Sequence, residues 1–264
     1  MRIIQKVAAK QSDIWNMPPV TIAFLGDSVT QGCFDVFTTE SNQINTVFQQ
    51  HSGYPHKVGI ILRGLFPRSP VNIINAGLSG DNAVHALERL ERDILSHNPD
   101  LVVISLGLND STQGLDYLQQ YEAALNEILI KLIEKDIEVI FMTQNMMNTY
   151  VSCHIKETTI RELAEKTCNI QNNGIFEQFV IAAKAVCQKH KVPVCDCYSK
   201  WKKLCSNGVD VTEQLANKIN HPKEEMHWLF AVSLVETMFD YEQHRDGGNN
   251  AREYTQEIYY GSEH

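Results

Sequence analysis

The feature that most constrains the fold of this chain is a fivefold alternation between short apolar segments and longer segments with helical periodicity. The apolar segments are rich in β-branched residues and have the length of buried strands; they are residues 20–25, 71–75, 101–106, 137–143 and 192–196. The segments with helical periodicity are residues 58–65, 82–96, 117–135, 175–189 and 223–241. A strand followed by a helix, five times over, predicts a parallel sheet with right-handed crossovers and helices on both faces, which is the three-layer α/β/α class.

The length of the chain is compatible with one or two domains, and the strand pattern favours one. Of its 264 residues, 43% are hydrophobic and 21% are charged, as in ordinary globular proteins. One sheet accounts for residues 20–241, so we predict a single domain over residues 1–264 with this segment as its core. Residues 243–264 are polar and are expected to form a peripheral tail. Two connections, residues 33–56 and 144–173, are long enough to act as lids or substrate walls.

The charge and the hydropathy of the chain argue against several classes of partner. A formal net charge of −9, without a concentrated basic patch, makes nucleic acid an unexpected partner. No apolar run reaches the ~18–20 residues that span a bilayer, and residues 1–10 lack the pattern of a signal peptide, so membrane insertion is not expected. Seven cysteines without a framework spacing are expected to be reduced thiols in a cytoplasmic protein. The oligomeric state does not follow from the sequence.

One group of potential metal ligands is best interpreted as structural. Cys187, His190, Cys195 and Cys197 are close in sequence, but their spacing fits no standard zinc pattern. Cys195 and Cys197 alternate along a predicted strand, as small buried hydrophobic residues would. We therefore predict neither a metal ion nor a cofactor.

Polar residues that directly follow the predicted strands carry the functional information, because ligands of parallel sheets bind beyond the carboxyl ends of the strands. The first strand leads into Gly26-Asp27-Ser28. A serine on this turn exposes its hydroxyl at the strand end, and helical N–H groups beyond it can stabilise negative charge. Taken alone, a serine in this place is more often a helix N-cap.

The next two strands end in residues that can donate hydrogen bonds. Gly80 follows the second strand and offers a backbone N–H at a position where a side chain would obstruct a ligand. Asn109 follows the third strand and offers its side-chain amide. Together with the N–H of Ser28, these groups would form a three-donor oxyanion hole, although each residue taken singly is more often a turn residue.

A histidine near the same edge would complete a nucleophilic site. His221 directly precedes Pro222, a residue that favours the first turn of a helix, and the last predicted helix begins there. A neutral imidazole with a pKa near ~6.5 can take the proton of a serine at neutral pH, so we expect activity to fall below about pH 6. His227 lies inside the helix and is expected to be structural.

These stretches resemble, in order, the four sequence blocks of the SGNH hydrolase family, also called GDSL esterases/lipases. The matching stretches are Gly26-Asp27-Ser28, residues 75–81, Gly107-x-Asn109-Asp110 and His221-Pro222 followed by His227. The resemblance implies a flavodoxin-like five-stranded parallel sheet with strand order 2-1-3-4-5. It also implies that Ser28 is the nucleophile and an oxyanion-hole donor, that Gly80 and Asn109 are further donors, and that His221 is the base.

The chain departs from the family at one position. The family usually has an aspartate three residues before the catalytic histidine, and Lys218 stands there in this sequence. The group that orients the His221 ring is then Asn217, a backbone carbonyl or a displaced carboxylate. Asp210 lies farther upstream, and Glu224 follows His221, on the wrong side for the usual role. Because the third member of a triad fixes the imidazole tautomer and stabilises the imidazolium, its loss lowers the rate more than it changes the reaction.

The resemblance implies a serine esterase whose partner is a small-molecule ester. We expect a small acyl group, with an acetyl ester of a carbohydrate as one candidate, cleaved through an acyl-enzyme. A lysophospholipase or thioesterase acting on longer acyl chains is the enzymatic alternative. A non-catalytic ligand-binding relative that lacks the usual aspartate is the third. The fold does not choose among substrates.

Overall fold

The computed structural model describes residues 1–41 and 43–240, and its centre is a parallel sheet of five strands. The strands in the described residues are β1 (Val20–Gly26), β2 (Cys33–Thr38), β3 (Ile44–Phe48), β4 (Val71–Gly77), β5 (Leu101–Ser105), β6 (Glu138–Met142) and β7 (Val194–Cys195). The sheet has the order β4-β1-β5-β6-β7, and every neighbouring pair is parallel. When the sheet strands alone are counted along the chain, this is the predicted order 2-1-3-4-5.

Helices cover the sheet. They are α1 (Arg2–Ser12), α2 (Ser28–Gln31), α3 (Tyr54–Leu65), α4 (Ala83–Asp93), α5 (Leu108–Ser111), α6 (Leu118–Glu134), α7 (Thr158–Asn172), α8 (Ile175–Lys189), α9 (Cys197–Ser206) and α10 (Glu224–Asp240). Helices α4, α6 and α8 pack side by side, and α10 contacts both α3 and α1. The α/β/α class predicted from the strand–helix alternation is confirmed.

The central strands form because their side chains are buried on both faces, which is the environment that continuous apolar runs favour. All residues of β5 and β6 are buried, and the four residues from Ile22 to Leu25 in β1 have no exposed surface. The register places Gly26 opposite Gly77 of β4 and Ser105 of β5. These three strands therefore end at the same edge of the sheet, and the turns that follow them leave from neighbouring positions.

Both long connections contain regular secondary structure, and the hairpin in the first was not predicted from the sequence. The first contains the antiparallel hairpin of β2 and β3, which exposes Phe37, Ile44 and Phe48. The second contains α7, which buries Ile160 and Ala164 on one side and exposes its charged residues on the other. Helices α1 and α9 were also not predicted. The predicted tail at residues 243–264 lies outside the described residues.

Across residues 1–41 and 43–240, none of the helices has both the length and the apolar character needed to cross a lipid bilayer.

Candidate active site

Ser28 lies on the turn that leaves β1, as the first residue of α2. The N-cap of α2 is Asp27, whose Oδ1 accepts the N–H of Val29 at 3.0 Å. The serine hydroxyl is therefore not used for capping. Gly26 is required here because a Cβ at this position would lie 2.1 Å from Oγ1 of Thr30. The turn thus needs a glycine, a capping aspartate and a serine in this order.

The structure brings Ser28 and His221 into contact although they are 193 residues apart in the chain. The serine Oγ lies 2.9 Å from the imidazole Nε2, and the two residues are 5% and 3% exposed. Burial lowers the pKa of His221 to about 4, and the main-chain carbonyl of Phe34 opposes that shift. The imidazole is consequently neutral at pH 7, the form that accepts a proton from a hydroxyl.

Asn217 holds the loop of His221 but not its ring, which corrects the prediction that this side chain orients the imidazole. Its Oδ1 accepts the backbone N–H groups of Ile219, Asn220 and His221 at 3.0, 3.0 and 2.9 Å. Its Nδ2 donates to Oδ1 of Asn220 at 2.9 Å. The amide oxygen and one amide proton thus shape the turn, and the side chain makes no hydrogen bond to Nδ1 of the ring.

The carboxylates considered from the sequence also lie away from the ring. Asp210 accepts the hydroxyl of Tyr150, and Glu224 accepts the ammonium of Lys57. Lys218, at the family's usual aspartate position, has a positive φ of 58° and pairs with Glu213 at 2.7 Å.

Within the described residues, Nδ1 of His221 is buried and makes no hydrogen bond of good geometry. The backbone carbonyl of Phe34 opposes the lowering of the His221 pKa, so a backbone carbonyl, one of the alternatives considered from the sequence, lies near the ring.

Gly80 is the third residue of the turn from Leu78 to Asp81, which is closed by the Asp81 N–H donating to the Leu78 carbonyl at 3.1 Å. Its φ of 80° is the reason for a glycine at this position. A Cβ on Gly80 would meet no protein atom within 4 Å, so the space beside it is open, and the expectation that a side chain there would obstruct a ligand stays a prediction.

Two hydrogen bonds hold the Gly80 turn against the serine turn. Leu78 N–H donates to the carbonyl of Gly26 at 3.0 Å, and Ser79 N–H donates to Oε1 of Gln31 in α2 at 2.7 Å. The N–H of Gly80 is therefore held in a turn that is fastened to the end of β1 and to the helix that begins with Ser28.

Asn109 lies beside the Gly80 turn. Its Nδ2 donates one hydrogen bond to the main-chain carbonyl of Asp81 at 2.8 Å, so one of its two amide protons remains for another acceptor. Asp110 follows in α5, and its Oδ1 accepts the N–H of Ala83, the first residue of α4, at 2.9 Å. These two bonds join the turn after β5 to the turn after β4.

Three aspartates behind the turns form a buried acidic cluster, and the cation that pairs with one of them was not predicted from the sequence. Burial raises the pKa of both Asp27 and Asp110 to about 7. The carboxylate of Asp81 pairs with buried Arg89 at 2.6 Å, and the same guanidinium donates to the carbonyl of Gly26 at 3.1 Å. The sequence carried no local signal for this role, because Arg89 also bonds to the carbonyl of Gly26, which is 63 residues away.

His227 lies in the core, in agreement with the structural role expected for it. Its Nδ1 accepts the N–H of Tyr54 at 3.1 Å, and its ring packs against Phe34 and Phe230 at centroid distances of 5.0 and 5.7 Å. Burial lowers its pKa to about 3. The histidine thus packs among aromatic side chains of the core.

The cysteines considered as metal ligands lie elsewhere. Cys195 and Cys197 are buried with their sulfur atoms 3.7 Å apart, and His190 contacts Asn126. Among residues 1–41 and 43–240, no group of three or more histidine, cysteine or acidic side chains is arranged to hold a metal ion.

Two curated esterases are similar to parts of the chain. The acetylxylan esterase of Geobacillus stearothermophilus is 27% identical over 131 residues, which are 46% of this chain and 58% of that protein. Thioesterase 1/protease 1/lysophospholipase L1 of Escherichia coli (strain K12) is 31% identical over 83 residues, 31% of this chain and 39% of that protein. The chain thus aligns with less than two thirds of the length of either relative.

The solved structures extend the likeness of the fold to most of the chain. The crystal structure of the acetylxylan esterase from Geobacillus stearothermophilus superposes with a TM-score of 0.63 at 19% identity, covering 86% of this chain and 97% of that one. A two-domain esterase active on acetylated mannans gives 0.62 at 16% identity, covering 94% of this chain and 57% of that one. A model of the GDSL-like lipase/acylhydrolase family matches residues 24–229, and the chain belongs to this family of ester hydrolases.

Proposed function

We propose that the protein is a serine esterase that hydrolyses carboxylic esters of a small acyl group through an acyl-enzyme. The observation that carries the proposal is the 2.9 Å contact between Oγ of Ser28 and Nε2 of a buried, neutral His221. Membership in a family of ester hydrolases supports the reaction class.

In the proposed reaction, the Ser28 hydroxyl attacks the ester carbonyl and His221 takes its proton. The oxyanion of the tetrahedral intermediate accepts the N–H groups of Ser28 and Gly80 and the remaining amide proton of Asn109. His221 then protonates the departing alcohol. Water attacks the acyl-enzyme with the same histidine as base, which releases the acid and restores the serine.

An acetyl ester of a carbohydrate is the substrate we favour. The named relatives include an acetylxylan esterase and an esterase active on acetylated mannans. The similarity to a thioesterase and lysophospholipase supports longer acyl chains as the second candidate. Both substrates require the same serine and histidine. What distinguishes the two candidates is the space that each acyl chain needs in the site.

Three p-nitrophenyl esters and one covalent probe test the proposal. Hydrolysis of the acetate with a steep loss from butyrate to octanoate is the expected result, whereas faster octanoate hydrolysis would favour the second candidate. A fluorophosphonate should label the unmodified protein once and leave Ser28→Ala unlabelled. An unmodified protein that neither hydrolyses the esters nor reacts with the probe would identify a non-catalytic relative.

A further inference from the structure

A buried glutamine connects two of the turns that carry the proposed catalytic groups. Gln144 follows the end of β6 and is 2% exposed. Its Nε2 donates to Oδ2 of Asp27 at 2.7 Å, and its Oε1 accepts the N–H of Leu108 at 2.8 Å. Asp27 directly precedes Ser28, and Leu108 directly precedes Asn109. One side chain therefore spans the neighbours of the proposed nucleophile and of a proposed oxyanion donor.

The orientation of the Gln144 amide follows from its partners. The backbone N–H of Leu108 can only donate, so the amide oxygen must face it. The amide nitrogen then faces Asp27, whose Oδ2 acts as the acceptor while its Oδ1 accepts the N–H of Val29. A side chain at this position must both donate and accept, and its length must match the separation of the two turns.

This bridge completes a closed set of connections among three turns. Arg89 joins the end of β1 to the Gly80 turn through the carbonyl of Gly26 and the carboxylate of Asp81. Asn109 joins the Gly80 turn to the turn after β5 through the carbonyl of Asp81. Gln144 joins the turn after β5 back to the turn after β1, so each of the three turns is connected to the other two.

We propose that Gln144 is a positioning residue for ester hydrolysis, because it holds the Ser28 turn and the Asn109 turn at a fixed separation from behind the site. The inference rests on the proposed esterase function. Gln144 does not touch the substrate, and its effect falls on the alignment of the nucleophile with the oxyanion donor. Loss of the bridge therefore lowers kcat and leaves KM nearly unchanged.

The variant Gln144→Glu tests this role through pH. Its carboxyl group can accept the Leu108 N–H, but it can bond to Asp27 only when the two carboxyl groups share a proton. We expect kcat for p-nitrophenyl acetate to be within about threefold of the unmodified protein at pH 5 and at least tenfold lower at pH 8. KM should change by less than about twofold. The variant Gln144→Met, which has neither hydrogen bond, should have reduced kcat throughout this range.

Gln171 offers a matched control. It is also a buried glutamine that bridges two partners, since its Oε1 accepts the N–H of Met147 at 2.8 Å and its Nε2 donates to the hydroxyl of Tyr198 at 3.0 Å. None of these partners belongs to the three turns. Gln171→Glu should therefore lower stability without giving kcat a new dependence on pH.

The outcomes separate this inference from the proposed function. An unmodified protein without hydrolysis or probe labelling overturns the esterase proposal itself. An active protein whose Gln144→Glu variant has a kcat profile parallel to that of the unmodified protein overturns the positioning role alone. A Gln144→Glu variant that is unfolded at pH 5, where the shared proton should restore the bridge, also counts against it. A thermal melt at each pH identifies that case.

Discussion

Replacing Asp110 by asparagine should stabilise the protein at alkaline pH and have little effect at acidic pH. The Oδ1 of Asp110 accepts the N–H of Ala83, while its buried Oδ2 has no hydrogen-bond partner in the described residues. Asparagine keeps the acceptor and replaces an ionisable oxygen by a neutral group of the same size. Because the carboxyl group has no surface exposed to water, ionising it in the folded state is unfavourable.

The size of the effect follows from the pKa shift. Burial, as the largest cause, raises the pKa of Asp110 from its ordinary 3.8 to about 7. Between these values the unfolded chain releases a proton that the folded protein retains, so stability is highest below 3.8 and declines until the pH reaches about 7. At about 1.4 kcal/mol per pKa unit, the total loss is about 4 kcal/mol. Asparagine does not titrate, so the variant avoids this loss.

Urea unfolding followed by tryptophan fluorescence between pH 5 and pH 8.5 measures the difference. The free energy of unfolding of Asp110→Asn, relative to that of the unmodified protein, should rise by about 3 kcal/mol over this range. The exposed Glu91 provides a control, because Glu91→Gln removes a surface charge and should give a nearly constant difference. A difference for Asp110→Asn that does not change with pH would refute the reasoning.

Three further predictions concern the proposed site. Asn109→Ala should lower kcat for p-nitrophenyl acetate by about two to three orders of magnitude, since an oxyanion donor contributes on the order of 3 kcal/mol; a loss below tenfold would contradict its role. Because burial lowers the pKa of His221 to about 4, the fall in activity below about pH 6 that was expected from the sequence moves to lower pH: kcat/KM should stay level from pH 7 to pH 5 and decline only near pH 4, and a midpoint near 6.5 would contradict this. Arg89→Met leaves the carboxylate of Asp81 buried and unpaired, so urea titration should show a loss of about 3–5 kcal/mol, and a loss below about 1 kcal/mol would show that the pair is not needed.

The sheet could be predicted from the sequence because each central strand is buried on both faces, so that its apolar run is continuous. Strand ends were less accurate; the last strand was predicted over residues 192–196, but β7 contains only Val194 and Cys195. The carboxylate of Asp196 caps α9 by accepting the N–H of Ser199, and this local competition ends the strand early. Helix α8 was predicted with its observed ends because its apolar period is uninterrupted from Ile175 to Lys189.

The hairpin of β2 and β3 could not be predicted in the same way. A strand pattern needs one face buried, and most side chains of the hairpin are exposed or only partly buried. Its inner end nevertheless contributes Phe34, whose side chain packs on His227 and whose carbonyl acts on His221. A connection in which the sequence predicted no strand therefore supplies part of the surroundings of His221, the proposed base.

The turns that carry Ser28, Gly80 and Asn109 could be located from the sequence because each directly follows a strand, and parallel strands place such turns together. Gln144 also follows a strand, so the same rule could have drawn attention to it. Gln144 bonds to Asp27 and Leu108, which are 117 and 36 residues away, and Arg89 also bonds to Gly26, which is 63 residues away. No local pattern reports these contacts.

Within the described residues no carboxylate is bonded to Nδ1 of His221, and this changes how the proposed reaction must be stabilised. When His221 takes the proton of Ser28, the carbonyl of Phe34 favours the charged ring but carries no full charge, so less of the imidazolium charge is offset than in a complete triad. A larger share of the transition-state stabilisation then falls to the oxyanion donors, whose contribution depends on sub-ångström placement. The bridges made by Arg89 and Gln144 are consequently more important for rate in this chain than they would be beside a complete triad.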